Sequence, residues 1–206
     1  MIKGVVFDFG GVMTTSTVPQ RVLALCKETG IPWETVHAGF EKYRLFYDGG
    51  FLTLQEMYDK IWTDARLDPA PDVRRRFLEA DVASWIYRNE RTREWMASLK
   101  KRGYRIGILT NMAPSFAQEH FRTQFADYLA LADAYVISGD EKLYKPQPEI
   151  YALLVKRIGL APAELVFIDD LEKNIAAAKA CGWHGIHFVS NEQVERDFER
   201  LVADAE

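Results

Sequence analysis

The chain has 206 residues, of which 48% are apolar and 27% charged, and its formal net charge is −4. That length suits one well-packed domain with room for an inserted subdomain. The mild acidity, without a basic tract or a block of like charges, argues against a dedicated nucleic-acid or membrane-surface protein. It leaves an anionic small-molecule partner open, because a bound cation can supply local positive charge.

The first element is a buried strand over 4–8 (GVVFD), followed by two glycines at 10 and 11. A connection of about ninety residues comes next and contains no convincing strand. Its apolar spacing predicts helices at roughly 19–29, 32–47, 53–66 and 71–85, with Thr53 as a cap for the third. A loop that long must carry its own structure, so residues 14–85 read as a helical cap, and 1–13 with 86–206 as the core. Beyond the cap lie a helix over 88–102 closed by Lys-Lys-Arg-Gly, a strand at 104–109 and a strand at 134–137. They are followed by a helix at 148–159, a strand at 165–168, a helix at 172–182, a strand at 185–189 and a charged amphipathic helix at 191–204. Strands that are apolar throughout and alternate with helices predict an α/β fold: a doubly wound parallel sheet of five or more strands, Rossmann-like, with the helical cap inserted.

Cys26 and Cys181 are far apart and form no ligand pattern, so both are expected as reduced thiols. Apolar runs are too short to span a bilayer. Met-Ile-Lys leads straight into a strand, so no signal peptide is expected and the compartment is expected to be a reducing cytoplasm. Oligomeric state is not readable.

Ligands of open α/β sheets bind at the carboxyl ends of the strands. The first strand ends at Asp8, the second at Thr110-Asn111 and the fourth at Asp169-Asp170, and the loop after the third carries Lys145 before Pro146. Each of these residues alone is ordinary turn or capping chemistry. Together they place three carboxylates, a hydroxyl and a lysine on one sheet edge. That set suits phosphoryl transfer through a carboxylate, with a carboxylate-held Mg²⁺ and a lysine offsetting the charge of a phosphate dianion.

The segments VVFDFGGV, ILTN, KPQPEIY and VFIDDLEKNIAAAKACGW resemble the four ordered motifs of the haloacid dehalogenase superfamily of hydrolases. The resemblance spans nearly the whole chain, and GGFLTLQEMY at 49–58 is similar to a cap segment of the branch that holds sugar-1-phosphate phosphatases and the phosphatase domain of soluble epoxide hydrolase. It implies a Mg²⁺-dependent phosphatase acting on a small phosphomonoester, sugar phosphates among the candidates, through an aspartyl phosphate. By this resemblance Asp8 is nucleophile and metal ligand. Thr110 and Asn111 hold phosphate oxygens, and Lys145 pairs with Asp8 and the phosphoryl group. Asp169 binds the metal, Asp170 binds it through water or orients its neighbours, and Asn174 ties the loop together.

One departure stands out. Where the phosphatase pattern has Asp-x-Asp, this chain has Asp8-Phe9-Gly10. Gly10 keeps a carbonyl for the metal but lacks the side chain that the family uses as acid and base, a function whose loss costs on the order of 10²–10⁴ in rate. Three outcomes follow: substrates with good leaving groups (anomeric, acyl or aryl phosphates), which the resemblance favours; a substitute in a cap residue such as Asp48 or in an ordered water; or a catalytically impaired phosphate-binding module. A metal-free dehalogenase using Asp8 on a halogenated carbon is the rival within the superfamily, though that branch would carry Tyr at residue 10. A receiver-type phosphorylation switch is a rival of another class, but its acidic pair would follow the first strand. Phe40, Tyr43, Phe46, Tyr47, Tyr58 and Trp62 are expected in the cap core, Arg44 on a solvated surface, and the four histidines in structural roles. His184 and His187 should lie on opposite faces of their strand.

Overall fold

The computed structural model describes residues 1–15 and 19–204; residues 16–18, inside the predicted cap, and 205–206, at the end of the predicted core, lie outside the described residues. Five strands, β1 (Gly4–Phe7), β2 (Arg105–Thr110), β3 (Ala134–Ile137), β4 (Leu165–Asp169) and β5 (His184–His187), form one sheet in the order β3-β2-β1-β4-β5. Every pairing is parallel. This is the predicted doubly wound architecture. Because β1 sits at the centre and the winding reverses between it and β4, the ends of those two strands flank the switch point where such sheets bind ligands.

Alternation along each strand feeds two cores. Val5, Phe7, Ile106, Ile108, Val166 and Ile168 face α5 (Glu90–Lys101) and α8 (Asn191–Ala203), meeting Trp95, Met96, Leu99, Val194 and Phe198. Val6, Leu109, Val136, Leu165 and Phe167 face α6 (Pro148–Ile158) and α7 (Glu172–Ala180), meeting Ile150, Tyr151, Leu154, Ile175 and Ala178. The last strand ends two residues before its predicted end. Val189 is exposed and Ser190 caps α8, accepting from the Gln193 N–H, so the chain must turn there.

Between β1 and α5 the described residues form four helices: α1 (Gln20–Thr29), α2 (Trp33–Asp48), α3 (Leu54–Ala65) and α4 (Pro71–Ser84). Thr53 caps α3 as expected, in a reciprocal capping box with Glu56. The helices share a separate core of Val22, Leu25, Val36, Phe40, Tyr47, Tyr58, Ile61, Trp62 and Phe77. Gly39 lets α2 approach α3 closely, since a Cβ there would lie 2.3 Å from Ile61 Cγ1. Phe46 corrects the expected list of cap-core aromatics: it is 50% exposed. Outgoing and returning chains run side by side at the base of these helices. The Thr15 N–H donates to the Tyr87 carbonyl (2.9 Å) and the Asn89 N–H to the Met13 carbonyl (2.8 Å).

Residues 114–124 form one continuous helix with a π-helical stretch over Ala117–Phe121, followed by a further turn at Ala126–Leu129, and Phe116, Phe121, Phe125 and Tyr128 are buried with Val5 and Phe7 on one face of the sheet.

Candidate active site

The central strand delivers Asp8 in a fixed pose. Its N–H still pairs with the Ile168 carbonyl (2.9 Å), and the chain then folds back as Met13 and Thr14 donate to the Phe9 carbonyl (2.8 and 3.1 Å). Gly11 adopts φ +68°, a conformation that glycine takes without strain. Phe9 anchors the turn, its ring seated edge-on between Phe121 (5.1 Å) and Phe125 (4.8 Å). Asp8 Oδ1 accepts from the Phe9 N–H (2.7 Å) and from Lys145 Nζ (2.8 Å).

Lys145 is the hinge of the cluster. Only 1% exposed, its ammonium bridges Asp8 and Asp169, reaching Asp169 Oδ2 at 2.6 Å. Asn111 holds it there by both ends of its amide: Oδ1 accepts from the Lys145 N–H (2.8 Å) and Nδ2 donates to the Lys145 carbonyl (3.0 Å). One amide hydrogen of Asn111 is therefore committed to Lys145 and one is left. Thr110 is buried at the end of β2, its hydroxyl donating to the Asn111 carbonyl over a long 3.4 Å. Asn174, buried on α7, does tie the loop: its Nδ2 lies 3.0 Å from both oxygens of Asp169.

Asp8, Asp169 and Asp170 each offer an oxygen within 4.8 Å of the others. Three carboxylates against one lysine leave the cluster about two negative charges in excess. Burial pushes Asp8 well above the usual carboxylate range, and Asp169 and Asp170 push it further, while Lys145 opposes them. Burial lowers the pKa of Lys145, but Asp169 and Asp8 outweigh burial and raise it. Burial together with Asp169 raises Asp170 to about 6. His187 was expected only as a structural residue. Its Nε2–H donates to the Asp170 carbonyl (2.8 Å), so the last strand braces this loop, a link invisible in sequence because the partners are 17 residues apart.

Above the cluster a cleft of about 370 Å³ opens between the sheet edge and the helices, lined by Asp8, Gly10, Asn111, Lys145 and Asp170 below and by α2 above. Its walls carry the apolar Trp33, Phe40, Leu45, Trp85, Phe116 and Leu171, with the polar His37, Glu41 and Lys173 among them. Arg44 corrects the expectation of a solvated surface. It forms a two-pronged ion pair with buried Asp81 (3.1 and 2.7 Å) and stacks over Phe40, 4.6 Å from the ring centre. Tyr58 also donates to Asp81 (3.0 Å), so this polar pair is closed on itself. Asp48, the last residue of α2, lines the same cleft, and its carboxylate has no hydrogen-bond or ion-pair partner among the described residues.

A family model described as haloacid dehalogenase-like hydrolase matches residues 2–182. The sesquiterpene phosphatase astK of Aspergillus oryzae is 25% identical over 97% of this chain and 96% of its own. The D-ribitol-5-phosphate phosphatase of Bacteroides thetaiotaomicron is 27% identical over 89% and 90%. Among solved structures, a HAD-like family hydrolase from Porphyromonas gingivalis superposes with a TM-score of 0.76 at 21% identity, covering 98% of each chain, a likeness of fold.

Proposed function

Since this chain belongs to the haloacid dehalogenase-like hydrolase family, we propose that it is a Mg²⁺-dependent phosphatase that hydrolyses a small phosphomonoester through an aspartyl phosphate on Asp8. The observation that carries this reading is the buried Lys145 ammonium held between Asp8 and Asp169 beside a third carboxylate, Asp170. A carboxylate set with excess negative charge and closely spaced oxygens suits a hard divalent cation. Asp8, Asp169, Asp170 and the Gly10 carbonyl would hold it, and when bound it neutralises charge on the carboxylates and on the substrate phosphate. The core, residues 1–13 and 86–206, would carry this chemistry, and the cap, 14–85, would cover it and exclude water.

Asp8 Oδ1 is pinned by two donors, which leaves Oδ2 to attack phosphorus. The P–O bond to the leaving group breaks with its electron pair. Water then attacks the aspartyl phosphate, releasing inorganic phosphate and regenerating the Asp8 carboxylate. Lys145, with Thr110 and Asn111, would steady the phosphoryl oxygens. A dehalogenase needs neither the excess of carboxylates nor a cation.

The walls of the cleft bear on the substrate. Aromatic and aliphatic faces make up much of the lining and the Arg44–Asp81 pair is closed on itself, so a polyol would leave much of that surface in contact with hydroxyls rather than carbon. An aryl or prenyl body would bury its apolar surface. The relatives similar over nearly the whole chain include both a sesquiterpene phosphatase and a D-ribitol-5-phosphate phosphatase, so the choice between the two classes rests on the walls of the cleft. A reducing cytoplasm fits two free cysteines, one of them buried, and no helix among the described residues is long and apolar enough to cross a membrane.

The test is phosphate release across aryl, prenyl, acyl, anomeric and polyol phosphates, with Mg²⁺ and with EDTA. We expect EDTA to abolish release, and kcat/KM on aryl or prenyl esters to exceed that on polyol phosphates by about tenfold or more. Release unaffected by EDTA would overturn the metal assignment, and a preference for polyols would overturn the apolar seat.

A further inference from the structure

We propose that Asp48, delivered to the cleft by the cap, is the general acid and base of the hydrolysis, in place of the side chain missing at residue 10. The inference rests on the phosphatase reading above and adds to it the group that moves the protons.

The structure holds Asp48 over the sheet edge by its backbone. Buried Ser138, just past β3, donates from Oγ to the Asp48 carbonyl (2.6 Å) while accepting from the Met112 N–H (2.8 Å). Two residues on, the Gly50 carbonyl accepts from Lys142 Nζ. Gly50 adopts φ +70°, and a Cβ there would meet Pro114 Cγ at 2.9 Å and the Gly139 carbonyl at 3.1 Å. The turn after α2 is therefore seated tightly on the loops beyond β2 and β3, next to the strand that bears Asp8.

Its carboxylate is left free for chemistry. Arg44, one turn back on α2, is taken by Asp81 of α4 in a two-pronged pair, and Asp81 is filled further by Tyr58 of α3. Asp48 itself has no such partner among the described residues, yet shares the cleft with Asp8, Gly10 and Lys145. Burial pushes its carboxyl up to about 7; Asp81 adds to this, and Arg44 and Lys145 oppose it. A group that gains and loses its proton near neutrality suits a role that alternates between donor and acceptor.

The protons balance over the cycle. Asp8 Oδ2 bonds to phosphorus, the bond to the ester oxygen breaks, and that oxygen takes the Asp48 proton and leaves as the alcohol. Asp48, now a carboxylate, removes a proton from the water that attacks the aspartyl phosphate. The phosphorus–Asp8 bond breaks with its pair returning to Asp8, and Asp48 ends protonated.

Two variants test this in the full chain with Mg²⁺. Asp48→Asn keeps the shape and removes the proton. It should lower kcat/KM on an alkyl phosphate by on the order of 10²–10³ while changing kcat/KM on p-nitrophenyl phosphate by less than about tenfold, because a nitrophenolate departs unaided. Gly10→Asp in that background should restore most of the alkyl activity, because a Cβ at Gly10 meets nothing nearer than Trp85 at 3.8 Å. Equal losses on both esters, or none on the alkyl ester, would overturn Asp48 as the acid, as would failure of Gly10→Asp to recover any alkyl activity. A wild-type protein that releases phosphate from neither ester would instead overturn the phosphatase reading, and this inference with it.

Discussion

Asp8→Asn is expected to lower phosphate release by at least about 10⁴-fold without unfolding the protein. A carboxamide is a poor nucleophile, and removal of a covalent nucleophile reaches losses of about 10⁶ where the rest of the machinery cannot compensate. The fold should hold because Asn can still accept the Phe9 N–H through its own Oδ1, and Lys145 keeps its shorter bond to Asp169 (2.6 Å). The substitution also removes a buried carboxyl that burial and two neighbouring acids push upward, so the loss of one ion pair is offset by relief of desolvation and repulsion. Thermal unfolding should shift by only a few degrees. Residual turnover above a tenth of wild type would sink the assignment of Asp8 as nucleophile.

Lys145→Met should have the largest effect on stability. The side chain is nearly isosteric, so packing against Phe167, whose ring centre lies 5.2 Å from Nζ, is largely retained. The buried carboxylates of Asp8 and Asp169 lose their common cation. Breaking a buried ion pair by removing one partner costs about 3–5 kcal/mol. The pH dependence has a definite sign. The Asp8 carboxyl is already raised in the folded state, and without Lys145 it rises further. A carboxyl raised on folding favours the native state when protonated, and that contribution is lost as pH rises from the unfolded value of about 4 through the folded one. The variant should therefore be closest to wild type at mildly acid pH and furthest from it at pH 8 in denaturant unfolding without metal. Saturating Mg²⁺ should narrow the gap at pH 8 by replacing the missing positive charge. A destabilisation independent of pH would mean that packing, and not charge, holds Lys145 in place.

Much of the fold was legible because its central strands are buried on both faces. Runs such as GVVF and LVFI leave no polar face, and Asp or Asn follows where the chain must turn to the ligand edge. The rule that parallel sheets bind at their carboxyl ends then gathers Asp8, Lys145 and Asp169 without any tertiary information, and the structure brings those three into direct contact. Residues 114–129 were not legible. Phe121, Phe125 and Tyr128 keep a helical spacing, but the π-helical stretch over Ala117–Phe121 puts Phe116 five residues before Phe121 and out of that period, and three of these rings close around Phe9. The Arg44–Asp81 pair was equally hidden, since its partners lie 37 residues apart on helices whose packing sets the contact. The same holds for Ser138, which lies just past β3 and fastens the end of α2, 90 residues away in sequence, to the sheet edge.

Gly10 is better understood with the cleft in view. Sequence alone set out three routes, a substrate with an easy leaving group, a substitute acid or a loss of catalysis, and the family resemblance favoured the first. Asp48 facing the same cleft as Asp8 and Gly10 favours the second, and the apolar walls shift the substrate class from polyols towards aryl or prenyl esters. The two conclusions are separable, because the first concerns departure of the leaving oxygen and the second concerns binding of the carbon body.

The most direct measurement is a rapid-quench series on the wild-type protein with Mg²⁺ and p-nitrophenyl phosphate, followed by peptide mapping. One phosphoryl group should be found on Asp8 at early times, formed as fast as nitrophenol is released and decaying as inorganic phosphate accumulates, and it should be absent from Asp8→Asn. Steady phosphate release with Asp8 unmodified at every time point, or with the phosphoryl group on another residue, would contradict the account.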